Sequence, residues 1–445
     1  MDYGHPLEFG AFITPAAASP QNPVLISQAA EASGLDLVTF QDHPYQPSFL
    51  DTWTLMSYVA ARTDRIRIAP NVLNVPLRPP AVIARSAASL DLLSGGRFDL
   101  GLGAGGFWDA IEAMGGTRLT PGQAVTALGE AIDLIRELWD TSERRGVFTD
   151  GTHHSVHGAK RGPRPAHRIP ILIGAYKPRM LALTGRKGDG WLPSLAYLQP
   201  GDLAKGNAAI DDAAAGAGRD PREVRRLLNI GVLASAPSEF AERLARLALE
   251  DGIGTFILAG DDPDLLRAFG EDIAPAVRDI VTRERGQRGT DAGPVRSASA
   301  LAARRDGIAY DDLPAGLAAI EPGDFGYGDV RATYMRGGRP GIVLQPESSQ
   351  QVADAIAYAR RHPSLPLAIR SGGHGISGRS TNDGGIVIDL RRLNAIEVLD
   401  DERRLVRVGA GARWMEVAAA LGEHGWAISS GDYGGVGVGG LATAG

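Results

Sequence analysis

The stretch Ser94-Gly95-Gly96-Arg97-Phe98-Asp99-Leu100-Gly101-Leu102-Gly103-Ala104-Gly105-Gly106, followed by Phe107-Trp108, decides how the first part of this chain is read. Gly101, Gly103 and Gly106 formally satisfy G-x-G-x-x-G, the loop that opens a dinucleotide-binding fold. That loop has to close the first strand of a βαβ unit. Here the apolar run Phe98–Leu102 is the fourth of its kind, and no first βαβ unit surrounds it. NAD binding is therefore discounted, and the glycines are read as letting backbone approach a flat ring.

Working outward, three apolar runs precede this one, Leu7–Ile13, Leu37–Phe40 and Ile66–Pro70. Four follow it, Ile169–Ile173, Gly190–Leu192, Leu228–Ala234 and Thr255–Ala259. Between them lie helical patterns, Pro23–Ser33, Thr52–Arg62, Pro79–Leu93, Pro121–Trp139, Pro178–Gly185, Gly201–Ala217, Pro237–Glu250 and Pro263–Arg283. Proline near several helix starts fits the first turn, where its missing N–H costs nothing. Strand then helix, repeated eight times over roughly 280 residues, is the rhythm of an α/β protein built as a closed (β/α)8 TIM-like barrel. A doubly wound open sheet shares the alternation, so periodicity alone does not separate the two. One insert breaks the rhythm: Val147–Asp150 and His154–His157 read as a hairpin about a two-residue Asp150-Gly151 turn. The barrel is placed at residues 1–283. A linker at 284–323 begins with the Gly-, Arg-, Ser- and Ala-rich Glu284–Arg305. An incomplete α+β domain is placed at 324–445, with strands at Gly341–Leu344, Leu367–Ile369, Gly385–Asp389, Ile396–Leu399 and Leu405–Gly409 and helices at Ser349–Arg360 and Arg413–His424.

With 44% hydrophobic and 22% charged residues over 445 positions, the composition is that of a multidomain globular protein. A net charge of −6 leaves no basic footprint for nucleic acid. No run approaches the ~18 apolar residues of a membrane span, and the N-terminus shows no signal pattern, so the chain reads as cytoplasmic. Cysteine is absent, which excludes disulfides and thiolate catalysis. His153, His154 and His157 invite a metal reading, but alternate residues of a hairpin face opposite sides, and no metal is expected.

In such barrels the reacting groups sit at the carboxyl ends of strands. Gln41-Asp42-His43-Pro44-Tyr45 leaves strand two, and Pro70-Asn71-Val72-Leu73-Asn74 leaves strand three. Gly174-Ala175-Tyr176-Lys177 leaves strand five, where backbone N–H groups ahead of a helix and a Lys suit a phosphate; an ordinary turn with a solvated Lys is the competing reading. In the second domain Arg370-Ser371-Gly372-Gly373-His374-Gly375, trailed by Gly378, has glycines spaced to wrap backbone N–H groups around a pyrophosphate. A histidine in the middle of such a cradle is not needed for it.

Leu7–Trp191 resembles the luciferase-like monooxygenase superfamily, especially its deazaflavin- or FMN-dependent branch. The likeness rests on Glu31–Asp36, Asp42-His43, Thr63–Ile66, Ser94–Phe98, Gly101–Gly106, Ile171–Lys177 and Gly188–Trp191. It implies FMN or the deazaflavin coenzyme F-420 across the barrel mouth, against Asn71, Val72, Gly103, Ala104, Gly105 and Gly174–Lys177. It also implies a non-prolyl cis peptide at Asn71-Val72, with His43 as acid/base and Asp42 as its orienting partner. Sugar-phosphate dehydrogenases of this family carry a Glu where this chain has Gly106, which argues against that substrate class. The implied chemistry is hydride transfer or monooxygenation of a small organic substrate, in a barrel that can pair as a homodimer.

From Asp324 onward the chain resembles the PCMH-type FAD-binding domain of the vanillyl-alcohol oxidase and berberine-bridge group. Pro346–Ser348, Asp383–Leu390, Val408–Gly411 and Val436–Leu441 carry this likeness. It implies FAD held by Arg370–Gly375, Gly378, Gly437, Gly439 and Gly440, and bonded to His374 in the complete domain. Tyr433 stands where some relatives place a second, cysteinyl attachment, which rules out double attachment. Two further readings stay open: a barrel that binds flavin without catalysis, and a barrel enzyme with a vestigial FAD-domain fragment.

Overall fold

Parallel pairing organises the first part of the computed structural model, which describes residues 1–445 except 144, 232–235, 291–294 and 445. The strands are β1 (Glu8–Ile13), β2 (Leu37–Phe40), β3 in two pieces (Arg67–Pro70 and Leu73–Asn74) and β4 (Leu100–Gly103), then β5 (Ile171–Ile173), β6 (Gly190–Trp191), β7 (Arg225–Ile230) and β8 (Thr255–Ala259). Hydrogen bonding runs from the first piece of β3 through β2, β1, β8, β7, β6, β5 and β4 to the second piece of β3. A bridge between Ile68 and Phe98 also joins that first piece to the residues leading into β4. The nine segments are thus eight staves of a nearly closed parallel barrel, one stave being broken at Asn71-Val72. Helices follow the staves, and their apolar faces pack on the barrel's outside in one large cluster that includes Phe40, Ile68, Leu100, Leu128, Ile132 and Phe256.

Side chains alternate across each stave, so the interior is filled in layers. Leu37, Ala69, Leu172, Leu192, Leu227 and Ile257 form an apolar middle layer. Two residues earlier along the staves is an ionic layer: Arg67 donates to Glu8 at 2.6 Å and faces Asp99 at 3.2 Å, and Arg225 also pairs with Glu8. Burial would raise the Glu8 carboxyl, but Arg225 and Arg67 outweigh it and hold it below its ordinary range. Two residues later is a polar layer, described below. The interior is packed, so chemistry is confined to the rim.

Several boundaries differ from expectation. The seventh stave starts at Arg225 rather than Leu228, and the last residues of the expected run Leu228–Ala234 lie outside the described residues. The hairpin strands are Val147–Asp150 and Ser155–Ala159, with Asp150 opposite Ser155. The loop between them is longer than two residues because the Glu130 carboxylate accepts the N–H groups of Thr152, His153 and His154. Within the expected linker at 284–323 three regular elements occur among the described residues. A helix covers Ala274–Arg288, another covers Ala298–Ala302, and Ala318–Ile320 is a strand. The chain divides into units Met1–Ser297 and Ala298–Gly445.

In the second unit Ala318–Ile320 is an antiparallel edge on Ile342–Gln345, which pairs in parallel with Ile386–Asp389, and that strand with Leu367–Arg370. One face is covered by Ala355, Tyr358 and Ala359 of the helix Ser349–Arg360, capped at its start by Ser348. The strands Ile396–Asp400 and Leu405–Val408 form a separate antiparallel pair. Among the described residues, no helix of the whole chain is long and apolar enough to cross a membrane.

Candidate active site at the barrel rim

His43 stands just past the end of β2, half-buried, its ring stacked on Tyr45 at 5.3 Å and 20° and met edge-on by Phe107 at 5.4 Å and 72°. Its ring nitrogens have no hydrogen-bond partner among the described residues. Burial pushes the imidazole below its ordinary value, partly offset by the negative charge of Asp42. It is therefore neutral near pH 7, with a lone pair free to accept a proton. Asp42 does not orient it. The Asp42 carboxylate is 1% exposed and accepts from Asn74 N at 2.8 Å and from Arg78 Nη2 at 2.8 Å and Nε at 3.1 Å. A neighbouring side chain points the other way, so Asp42 clamps the β3 loop instead.

The Asn71-Val72 peptide is cis, at the position the resemblance implied. The glycines after it make room for this break. A Cβ on Gly101 would strike the Pro70 carbonyl oxygen, and one on Gly103 would lie 2.7 Å from Val72 Cγ2. A Cβ on Gly174 would lie 3.3 Å from the same methyl. Gly105, at φ +91°, leaves room for Pro76 and Trp108, and Ala104 packs on the core. Of these glycines, Gly106 alone faces open space. The Asn71 side chain is likewise engaged within the protein. Its amide donates to Asn229 Oδ1 at 2.7 Å and to Thr39 Oγ1 at 3.2 Å, and accepts from Asn229 Nδ2 at 3.1 Å. Asn229 also donates to Ser194 Oγ at 3.0 Å. Thr39, Ser194 and Asn229 were missed from the sequence. The available signal was a polar residue at the period-two position after each of the apolar Leu37 and Leu227.

At the turn after β5 the reading is mixed. Gly174 N is taken by Leu102 O at 3.3 Å, and the Ala175 carbonyl by Trp191 Nε1 at 2.8 Å. The Tyr176 hydroxyl accepts from Ser194 N at 2.8 Å. The N–H groups of Ala175, Tyr176 and Lys177 have no acceptor among the described residues, and the exposed Lys177 precedes the helix Pro178–Lys187. An unpartnered run of donors beside a cation fits an anionic tail.

In the second unit Arg370 is buried and directed inward: it donates to the carbonyls of Ala332 at 3.0 Å and Val330, and its Nε lies 3.5 Å from Asp389. Its guanidinium is thus engaged within the unit. Ser371 Oγ donates to Ala410 O at 2.7 Å. Gly372 and Gly437 are in backbone contact that any Cβ would break, and a Cβ on Gly439 would lie 2.6 Å from Ala410 O. These three glycines thus let two loops close on each other. The N–H groups from Gly372 to Ser377 have no acceptor among the described residues, with Gly373 and Gly378 at φ +69° and +76°. A Cβ on Gly375 would lie 3.9 Å from Ser380 Oγ, in ordinary contact, and Gly440 faces open space. His374 lies between Tyr334, stacked at 4.9 Å and 19°, and Tyr433 at 5.5 Å.

Residues 2–313 match the model of the luciferase-like monooxygenase family, and residues 340–445 match that of an FAD binding domain. The chain is 32% identical over 256 residues to a 5,10-methylenetetrahydromethanopterin reductase of Archaeoglobus fulgidus, covering 57% of this chain and 71% of that protein. It is 35% identical over 201 residues to an F420-dependent glucose-6-phosphate dehydrogenase of Kineococcus radiotolerans, covering 43% of this chain and 57% of that protein. An F420-dependent secondary alcohol dehydrogenase, solved with an F420-acetone adduct, shares the fold at 19% identity and a TM-score of 0.56, covering 62% of this chain and all of that one. The broken stave, the histidine at the end of β2 and the match over residues 2–313 agree: the chain belongs to the luciferase-like monooxygenase family, and an FAD-binding domain follows its barrel.

Proposed function

We propose that the barrel is a deazaflavin-dependent oxidoreductase that moves a hydride between its coenzyme and a carbon bearing an oxygen. The observation that carries this is the neutral, unpartnered His43 imidazole on the rim beside the broken stave. When bound, coenzyme F-420 would supply the ring carbon that exchanges hydride with substrate. The unpartnered N–H groups of Ala175, Tyr176 and Lys177 and the Lys177 ammonium would hold its anionic tail. Val72, wedged against Gly103 and Gly174, would support the ring from below. His43 takes the hydroxyl proton as the C–H bond gives up its hydride, and returns it in the reverse direction. Titrating the purified chain with F-420 and FMN in parallel tests this; binding of neither defeats the proposal. FMN with monooxygenation is the second reading, the family being described as monooxygenases, and tighter FMN binding with O2-dependent product would support it.

For the second unit, the donor run Gly372–Ser377 and the open face of Gly440 support FAD binding through its pyrophosphate, with His374 as the attachment point. Flavin that stays with the protein after denaturation would support the attachment. The barrel's pairing as a homodimer is tested by sedimentation.

A further inference from the structure

The rim around His43 has a chemical character that bears on what meets it. Three rings, His43, Tyr45 and Phe107, gather within 5.9 Å of one another, and Phe107 is 61% exposed. Phe107 follows the open Gly106 and leads into the helix Trp108–Ala113, so it is fixed at the rim without being part of the core. The segments that build this corner, 41–50, 71–78 and 103–118, contain two cations, Arg78 and Arg118. Both are matched by carboxylates: Arg78 by Asp42 and Asp51, Arg118 by Asp109 and Glu112. The polar layer beneath is engaged with itself through Thr39, Asn71, Asn229 and Ser194. A phosphorylated substrate would find no unmatched cation in these segments, whereas an apolar ring would find the faces of Tyr45 and Phe107.

Resting on the hydride-transfer reading above, we infer that the barrel's substrate is a neutral ring-bearing alcohol or ketone. Its aromatic or alicyclic body packs on Tyr45 and Phe107, and its single oxygen meets His43. Stacked and edge-on ring contacts supply the binding surface, and the imidazole, with no partner among the described residues, supplies a hydrogen-bonding group beside it.

The test uses the full chain loaded with whichever of F-420 or FMN it binds, and the cofactor-free chain alongside. Saturation-transfer NMR would follow binding of acetophenone, 1-phenylethanol and glucose 6-phosphate. The expected result is that both ring compounds bind at least ten-fold more tightly than the sugar phosphate and compete with each other. Phe107→Ala should weaken acetophenone at least ten-fold while cofactor affinity stays within two-fold, and Phe107→Leu should recover most of the loss. Equal or tighter binding of glucose 6-phosphate to cofactor-loaded chain overturns the substrate class and leaves the hydride-transfer reading standing. So does a Phe107→Ala chain that changes its sedimentation but not its ligand affinity. A chain that binds neither cofactor overturns both together.

Discussion

Asn71 and Asn229, 158 residues apart in sequence, exchange two amide hydrogen bonds across the top of the barrel, at 2.7 and 3.1 Å. One sits at the break in β3 and the other near the end of β7, so the pair ties the cis peptide to the opposite wall. Asn229→Ala leaves the partly buried Asn71 amide with its oxygen unpaired and Thr39 Oγ1 as its remaining acceptor, for which a loss of about 1–3 kcal/mol is expected. Urea denaturation of the two single alanine variants and the double variant should reveal coupling of about 0.5 kcal/mol or more; strict additivity would refute the pairing.

The depressed His43 value fixes the direction of a pH effect. Oxidation of an alcohol requires the neutral imidazole, so kcat/KM should rise with pH through the folded value, below the ordinary 6.5, and be flat above it. His43→Ala should abolish this acidic limb along with most of the turnover. A limb above 6.5 in the wild type would contradict the burial argument.

Arg78 neutralises the buried Asp42 carboxylate. Arg78→Ala leaves that charge with Asn74 N as its remaining partner and should destabilise the barrel by roughly 3 kcal/mol in urea melts. The uncompensated charge then raises His43, so the acidic limb in surviving activity should move to higher pH. An unmoved limb would show that Asp42 does not act on the imidazole.

His5 is buried, and burial lowers its imidazole to about 4 despite the bond from Nε2 to Arg222 O at 2.7 Å. The folded value lies below the unfolded one, so the unfolded chain binds the extra proton. This contribution is complete above about 6.5 and is lost as pH falls toward 4; it amounts to about 3 kcal/mol at most. The urea midpoint of the barrel should therefore drop between pH 7 and pH 4.5, and His5→Gln should flatten that drop. Parallel pH curves for the two proteins would count against it.

Glycines in the same run should behave differently. Gly101→Ala meets the Pro70 carbonyl and should fail to fold or lose several kcal/mol, whereas Gly106→Ala meets nothing and should stay within about 0.5 kcal/mol of wild type. Thermal melts of the two proteins decide this. Equal stability would mean that β3 does not press on β4.

The repeating strand-and-helix pattern and the place of His43 at a strand end could be read from the chain alone, because each depends on local periodicity. The cis peptide at Asn71-Val72 was implied by the family likeness, whose motifs are contiguous in sequence. The partners of these residues could not be read in this way. Adjacency suggested that Asp42 serves His43, yet successive side chains leave the strand in opposite directions, and Arg78 has taken the carboxylate. Glycine spacing suggested room for a ligand, yet at Gly101 and Gly103 the room belongs to Pro70 and Val72, and at Gly372 to Gly437. The linker was placed at 284–323, yet within it Ala318–Ile320 finds a sheet edge to pair with. Sequence thus determined which elements form and where their reactive residues stand along the chain. Tertiary structure decided which neighbour each polar group and each glycine face meets, because those neighbours come from staves far apart in sequence and are brought together only when the barrel closes.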